Sequence, residues 1–238
     1  MLTAVITGGS RGIGAQTVRA FCTAGYRVAF FYLHSEACAQ ALARQTGACA
    51  IRCDVRDSAC VQEACAQAKR LLGHIDVLVN NAGVAQQKLF TDLTDADWRD
   101  MLDTHLTGAF LTARAVLPEM ISRRYGRIIN VGSIWGQVGA SCEVHYSAAK
   151  AGLIGLTKAL AKEVAPSGVT VNCVCPGVIE TDMLASFTPD ELDALAQDTP
   201  VGRLGTPQEV ARTILWLADP DSGFLTGQIL GVNGGFGQ

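Results

Sequence analysis

Three residues in the middle of the chain have the types and spacing needed to deliver a proton to an oxygen. Ser133 follows the apolar run Arg127–Val131. Tyr146 comes thirteen residues later, at the start of an amphipathic stretch, and Lys150 is four residues beyond it. Residues i and i+4 share one helix face, so the phenol and the ammonium are expected to face one crevice. Reducing a carbonyl requires a proton for the oxygen as hydride reaches the carbon. A phenol is a weak acid, with a reference pKa of about 10, and a nearby ammonium stabilises the phenolate. Lowering that value by about three units takes roughly 4 kcal/mol of differential interaction. One close cation in a partly dry site, helped by an oxidised nicotinamide, supplies energy of that order. Ser133 is expected to donate to the substrate oxygen and hold it beside Tyr146. A Tyr-x3-Lys pair alone is commonly a solvated helix face, so its weight depends on what surrounds it.

A glycine-rich turn stands where a hydride carrier would bind. The apolar run Leu2–Ile6 leads into Thr7-Gly8-Gly9-Ser10-Arg11-Gly12-Ile13-Gly14, after which helical spacing begins. Gly8 permits a sharp turn, Gly12 lets a diphosphate approach the backbone, and Gly14 lets the helix pack closely on the strand. The helix start, with Ser10 and Ile13 beside it, offers free N–H groups and partial positive charge to phosphates. The spacing G-x3-G-x-G is a variant of the dinucleotide fingerprint. An NAD site usually carries an acid about 20 residues past the turn. Here that stretch reads Tyr32-Leu33-His34-Ser35, while Arg11 is available to a 2′-phosphate. NADP(H) is therefore preferred and NAD(H) remains open. Asp54 and Val55, after the third apolar run, suit the adenine, although Asp54 also suits a turn cap. Asn81, Ala82 and Gly83, within Asn80–Gly83, follow the fourth run and suit the crevice at a strand's carboxyl end.

The elements that position these residues alternate. Leu2–Ile6, Arg27–Tyr32, Cys49–Cys53, Val77–Val79, Arg127–Val131, Val169–Val174 and Gln228–Val232 read as buried strands. Gly14–Ala24, Ser35–Gln45, Ser58–Leu72, Ala96–Arg123, Val144–Ala165 and Pro207–Ala218 carry helical spacing. This predicts an α/β, doubly wound Rossmann fold of about seven parallel strands with helices on both faces. One domain over 1–238 is expected, with 180–205, which contains the short helical piece Pro189–Gln197, as a substrate-closing segment. The net charge is −3 and no basic block suggests nucleic acid. No apolar run reaches the roughly 18 residues of a membrane span, and a cytoplasmic protein is expected. Nine cysteines without paired spacing predict no metal site and read as small buried residues in a reducing compartment.

Together these motifs resemble the short-chain dehydrogenase/reductase family over nearly the whole chain. The resemblance extends through Asn172, Pro176-Gly177-Val178-Ile179-Glu180-Thr181-Asp182 and Thr226-Gly227-Gln228 to Val232-Asn233-Gly234-Gly235. It implies that Pro176 and Gly177 frame the nicotinamide, with Ile179 and Thr181 near its carboxamide, and that Tyr146 and Lys150 also contact the cofactor. It implies a homotetramer. Arg11, Thr107-Gly108 and Pro200–Gly205 are most similar to bacterial 3-oxoacyl-acyl-carrier-protein reductases, implying fatty acid biosynthesis. The family's catalytic asparagine, which holds a water in a proton relay, aligns with His105. A titrating relay, a simple replacement and an impaired relay are all open there. Glu143 and His145 place polar groups near the substrate mouth, with helix capping and solvent contact as the alternative. Ser167 replaces a basic residue that would meet an acidic carrier protein, although Arg127 is present. The stretch Ile134–Val144 also resembles reductases of 5-aminopentanone-modified elongation factor P, whose modified lysine would suit an acidic rim. Other small ketones or polyols, and a non-catalytic dinucleotide-binding protein, are the remaining alternatives.

Overall fold

A computed structural model describes residues 1–184 and 187–237. Seven strands form one parallel sheet: β1 (Thr3–Ile6), β2 (Arg27–Tyr32), β3 (Cys49–Arg52), β4 (Val77–Asn80), β5 (Gly126–Val131), β6 (Val169–Pro176) and β7 (Ile229–Val232). Their order is β3-β2-β1-β4-β5-β6-β7. The order reverses between β1 and β4, so a crevice opens at the carboxyl ends of those strands. The central strands are apolar runs without alternation, because helices cover both faces. One core layer, including Leu78, Ile128, Val171 and Met120, lies on one face, and a second, including Phe21, Phe30, Val79 and Ile214, lies on the other.

The helices are α1 (Gly12–Thr23), α2 (Glu36–Thr46), α3 (Ser58–Leu72), α4 (Asp95–Leu102), α5 (Gly108–Arg123), α6 (Trp135–Val138), α7 (Val144–Val164), α8 (Pro189–Asp198) and α9 (Pro207–Ala218). Thr94, Thr188 and Thr206 start α4, α8 and α9 with reciprocal capping boxes to Asp97, Glu191 and Glu209. The expected helix Ala96–Arg123 is corrected in one respect. It is split by a π turn over Asp103–Thr107, so α4 and α5 are separate α segments. Such wide turns re-aim side chains and are frequent at functional sites. The π turn carries His105. Helix α6, one turn after Ser133, is too short for a periodicity signal. In the 180–205 segment, Ala185 and Ser186 lie outside the described residues. The segment's base is pinned by a bridge between Ile179 and Gly205.

A buried polar chain ties α5 and α7 to the sheet. Thr112 donates to Asn80 Oδ1 (2.7 Å), Asn80 donates to Asn130 Oδ1 (2.9 Å), and Asn130 donates to Thr157 Oγ1 (2.9 Å). All four side chains are buried, and each link satisfies a group that would be costly to leave unpaired. The chain fixes α5, which follows His105, relative to α7, which carries Tyr146 and Lys150.

The cysteine reading needs correction. Cys53, Cys65, Cys173 and Cys175 are buried, whereas Cys38 is exposed and the other four are partly exposed. None forms a disulfide, and no group of three or more metal-type side chains occurs among the described residues.

The contact between strand and first helix sets a sharp limit on side-chain size. A Cβ on Gly14 would lie 2.1 Å from the Gly8 carbonyl oxygen and 2.6 Å from the Asn81 amide nitrogen. Gly14→Ala is expected to destabilise the protein by roughly 1–3 kcal/mol through overpacking, read as a lower urea midpoint. An unchanged midpoint would show that α1 can move away at no cost.

Candidate active site

The residues singled out for catalysis and cofactor binding line one cleft of about 1110 Å³. The glycine turn forms one wall. Gly8 and Gly12 adopt φ of 63° and 51°, a backbone region that favours glycine. Gly8 also abuts Ala82, whose Cα would lie 2.7 Å from an added Cβ. Asn81 braces this turn by donating from Nδ2 to the Thr7 and Gly8 carbonyls, both at 3.0 Å. Thr7, which sequence reasoning passed over, accepts at Oγ1 from the Asn81 and Ala82 N–H groups at 3.0 Å. Helix α1 begins after Arg11 with no side-chain cap and no acid in its first turn. Its first N–H groups are thus available to an anion.

The opposite wall carries Pro176, Gly177, Ile179 and Thr181. Arg11 leans across the mouth towards Asp182, at 3.7 Å, with both side chains largely exposed. At the far end Asp54 lines the cleft, but both carboxylate oxygens are engaged by Arg56. Oδ1 accepts from the Arg56 N–H (3.0 Å) and Nε (2.9 Å), and Oδ2 accepts from Nη2 (2.7 Å). Those bonds hold the Asp54 carboxyl below its usual range. Arg56 also pairs with Asp100. Val55 lines the same end.

The catalytic candidates meet at the inner end. Ser133 is buried; its oxygen accepts the Trp135 N–H at 3.2 Å, and its hydroxyl interacts with the Tyr146 phenol. Lys150 is buried; its Nζ donates to the Val131 carbonyl at 2.6 Å and lies 5.5 Å from the centroid of the Tyr146 ring. Burial lowers the Lys150 ammonium to about 8. Without the oxidised nicotinamide that the expected acidification includes, desolvation dominates the Tyr146 phenol. Burial pushes the Tyr146 phenol up to about 12, Ser133 offsets this in part, and Glu143 adds to the rise. The Lys150 amine itself is bonded to the Val131 carbonyl at the sheet end. At neutral pH the site therefore holds an intact phenol, the form that can donate a proton.

His105 sits directly behind the tyrosine. Its ring meets the Tyr146 ring edge-on, with centroids 5.1 Å apart. Nε2 lies 2.8 Å from the Val84 carbonyl oxygen and 3.1 Å from the Val84 nitrogen. One ring nitrogen cannot donate and accept at once, and the shorter contact favours Nε2–H donating to the carbonyl. Nδ1 has no partner. Gly83 makes room, since a Cβ there would lie 2.4 Å from His105 Cε1. Burial and the nearby Lys150 charge hold the imidazole well below its ordinary range. A titrating role at neutral pH is therefore not supported, and the ring acts as a neutral prop.

The rim differs from expectation. Glu143 precedes α7 but makes no cap bond to it. Its carboxylate lines the cleft and accepts from Gln87 Nε2 at 3.3 Å, and burial raises its pKa. His145 does not contact solvent; it is buried and bonds Gln86 at 3.0 Å. Arg127 is buried as well, donating to Gly126 and Pro220 carbonyls and stacking on Tyr125, so it offers no charge to an acidic carrier protein.

Comparison with known proteins agrees with this geometry. Residues 8–237 match a family model described as enoyl-(acyl carrier protein) reductase. A solved double mutant of a Serratia marcescens short-chain dehydrogenase/reductase superposes with a TM-score of 0.93, at 35% identity, covering 100% of this chain and 98% of that one. The chain belongs to the short-chain dehydrogenase/reductase family. Among curated relatives, an acetoacetyl-CoA reductase of Rhizobium meliloti is 43% identical over 98% of this chain and 97% of its own length. The 3-oxoacyl-acyl-carrier-protein reductase FabG of Escherichia coli is 39% identical over 98% and 96%. The chain is thus an oxidoreductase of the reductase type. No helix among the described residues is long and apolar enough to cross a membrane.

The neutral His105 predicts an acid-linked stability. Its folded pKa lies below the unfolded value of about 6.5, so the unfolded chain binds the extra proton and stability falls as pH drops below that value. His105→Asn is expected to flatten the decline between pH 7 and 5 by up to about 1.4 kcal/mol per pH unit, read from urea midpoints. Parallel wild-type and variant curves would show that the ring is protonated without cost.

Proposed function

We infer that this protein is an NADPH-dependent carbonyl reductase acting on a 3-oxoacyl thioester, carried on acyl-carrier protein or coenzyme A. The observation that carries the reading is a protonated, partly buried phenol beside the Ser133 hydroxyl, in a cleft that also contains an uncapped helix start. The relatives' names add the substrate class. The cleft suits a dinucleotide. Its glycine turn adopts a left-handed conformation that glycine favours, braced by Asn81 and Thr7, and the uncapped first N–H groups of α1 are available to a diphosphate. Arg11 is the cation available to a 2′-phosphate, which supports NADP(H) over NAD(H). The homotetramer and the cytoplasmic location implied by the resemblance belong to this reading.

When bound, the nicotinamide supplies the hydride. The chain's residues handle the oxygen. Ser133 donates its hydroxyl hydrogen to the substrate carbonyl and fixes that oxygen beside Tyr146. Tyr146 gives its phenolic proton as negative charge develops there; an alkoxide is a far stronger base than a phenolate, so the transfer runs downhill. The ammonium of Lys150 stabilises the phenolate left behind. His105 and Val84 keep the tyrosine ring in place. The 180–205 segment closes over substrate.

A second reading rests on Glu143. Its carboxylate is turned from its own helix into the cleft, and no lysine or arginine pairs with it among the described residues; Lys88, in the same loop as Gln87, is committed to Asp97 at 2.7 Å. An unneutralised, half-buried carboxylate suits a ketone bearing an amine, such as 5-aminopentanone-modified elongation factor P.

With acetoacetyl-CoA, the protein is expected to oxidise NADPH faster than NADH. Tyr146→Phe should lower turnover by roughly 10²–10⁴-fold while leaving NADPH binding intact. Wild-type turnover by that variant would remove the tyrosine from the reaction. If 5-amino-2-pentanone instead gives the higher kcat/KM, and Glu143→Gln erases that advantage alone, the second reading replaces the first.

A further inference from the structure

The segment after β7, residues 233–237, touches three pieces of the molecule that frame the cleft. It starts beside Pro176 and Gly177. The Gly177 N–H donates to the Val232 carbonyl at 3.0 Å, and a Cβ on Gly177 would lie 2.8 Å from Asn233 Cα. The segment then turns through Gly234 and Gly235, at φ of 61° and 86°. Asn233 holds the turn, accepting the Gly235 N–H at Oδ1 (3.1 Å) and the Phe236 N–H at its carbonyl (3.0 Å). The turn is seated on the 180–205 segment: the Gly234 carbonyl accepts the Val201 N–H at 3.2 Å, and a Cβ on Gly234 would meet the Val201 and Thr199 side chains at 2.6 and 2.8 Å. Beyond the turn, the Phe236 ring meets the Trp135 ring edge-on, with centroids 5.5 Å apart. A Cβ on Gly237 would lie 3.1 Å from the Ile134 side chain and 3.6 Å from that of Val138.

These last contacts fall on α6, the element next to Ser133. Helix α6 has four residues, and a helix so short has no stability of its own, so its place is set by what packs on it. Gly136 lies against α7, where its Cβ would come within 2.8 Å of the Cβ of Lys150. Phe236 and Gly237 supply the contacts from beyond β7. Helix α6 in turn holds the serine, because the Trp135 N–H donates to Ser133 Oγ at 3.2 Å and so sets which way that oxygen turns. Trp135 lines the cleft, whereas Phe236 does not. We propose that Phe236 is a positioning residue, acting through Trp135 to hold the Ser133 hydroxyl where it meets the substrate oxygen. This rests on the role given to Ser133 above. An edge-on aromatic pair suits the task, since it favours one ring orientation as well as one distance. The glycine turn and the bond to Val201 hold Phe236 against its partner.

The test is a double-mutant cycle in turnover with NADPH and acetoacetyl-CoA, using Phe236→Ala, Ser133→Ala and the two together. Phe236→Ala is expected to lower kcat about 10–100-fold with the KM for NADPH unchanged, and Phe236→Tyr, which keeps the ring edge, to retain most of the rate. Ser133→Ala is expected to lower kcat by roughly 10²–10³-fold. On that background Phe236→Ala should cost no more than about twofold, because the hydroxyl it positions is gone. Phe236→Leu keeps an apolar side chain against α6, so it reads the loss of the ring contact even if the alanine variant folds poorly. A Phe236→Ala loss as large without the serine as with it overturns the proposal alone, as does wild-type kcat in both Phe236→Ala and Phe236→Leu. Wild-type turnover by Ser133→Ala overturns the role of the serine itself.

Discussion

The chemistry of the cleft depends on taking a phenol and an ammonium out of water on the same helix face. Desolvation acts on the two groups in opposite directions: it pushes the phenol up to about 12 and the amine down to about 8. Both shifts move the groups towards their neutral forms. For the phenol, that form is the useful one, because only an intact O–H can protonate a developing alkoxide. For the lysine it is a liability, which its bond to the Val131 carbonyl offsets.

The fold exists, in effect, to hold that pair still. Parallel strands of apolar residues bring the carboxyl ends of β1, β4, β5 and β6 to one crevice. The Thr112–Asn80–Asn130–Thr157 chain crosses two of those strands and links α5 to α7. The π turn swings His105 behind the tyrosine ring, where its edge contact and its bond to Val84 limit movement. Gly83 and Gly132 each make space for a neighbour, the imidazole in one case and the sulfurs of Cys173 and Cys175 in the other.

Much of this was legible in the residues. Continuous apolar runs gave the sheet, because strands covered on both faces need no alternation, and the glycine turn, the Asn81 segment and the Tyr146–Lys150 spacing all converge on one cleft. What escaped was local geometry. A π turn adds one residue and rotates the following face by about 100°, a single phase step inside an otherwise helical pattern, so Ala96–Arg123 reads as one helix. The direction in which Glu143 points is invisible at the level of type, since a carboxylate at a helix start normally caps it. Arg127 lies in a predicted buried strand, and its charge is held inside by two carbonyls and a tyrosine ring. The Tyr146 shift follows from how deeply its phenol is desolvated, and spacing alone does not fix that.

The central claim is that the phenol of Tyr146 remains protonated until far above neutral pH in the free protein. An ultraviolet difference titration of wild type against Tyr146→Phe isolates its ionisation from that of the other three tyrosines. The account predicts no Tyr146 phenolate signal as pH is raised to 10, with ionisation near about 12 or on unfolding. A phenolate signal that grows in between pH 6 and 8 would contradict it.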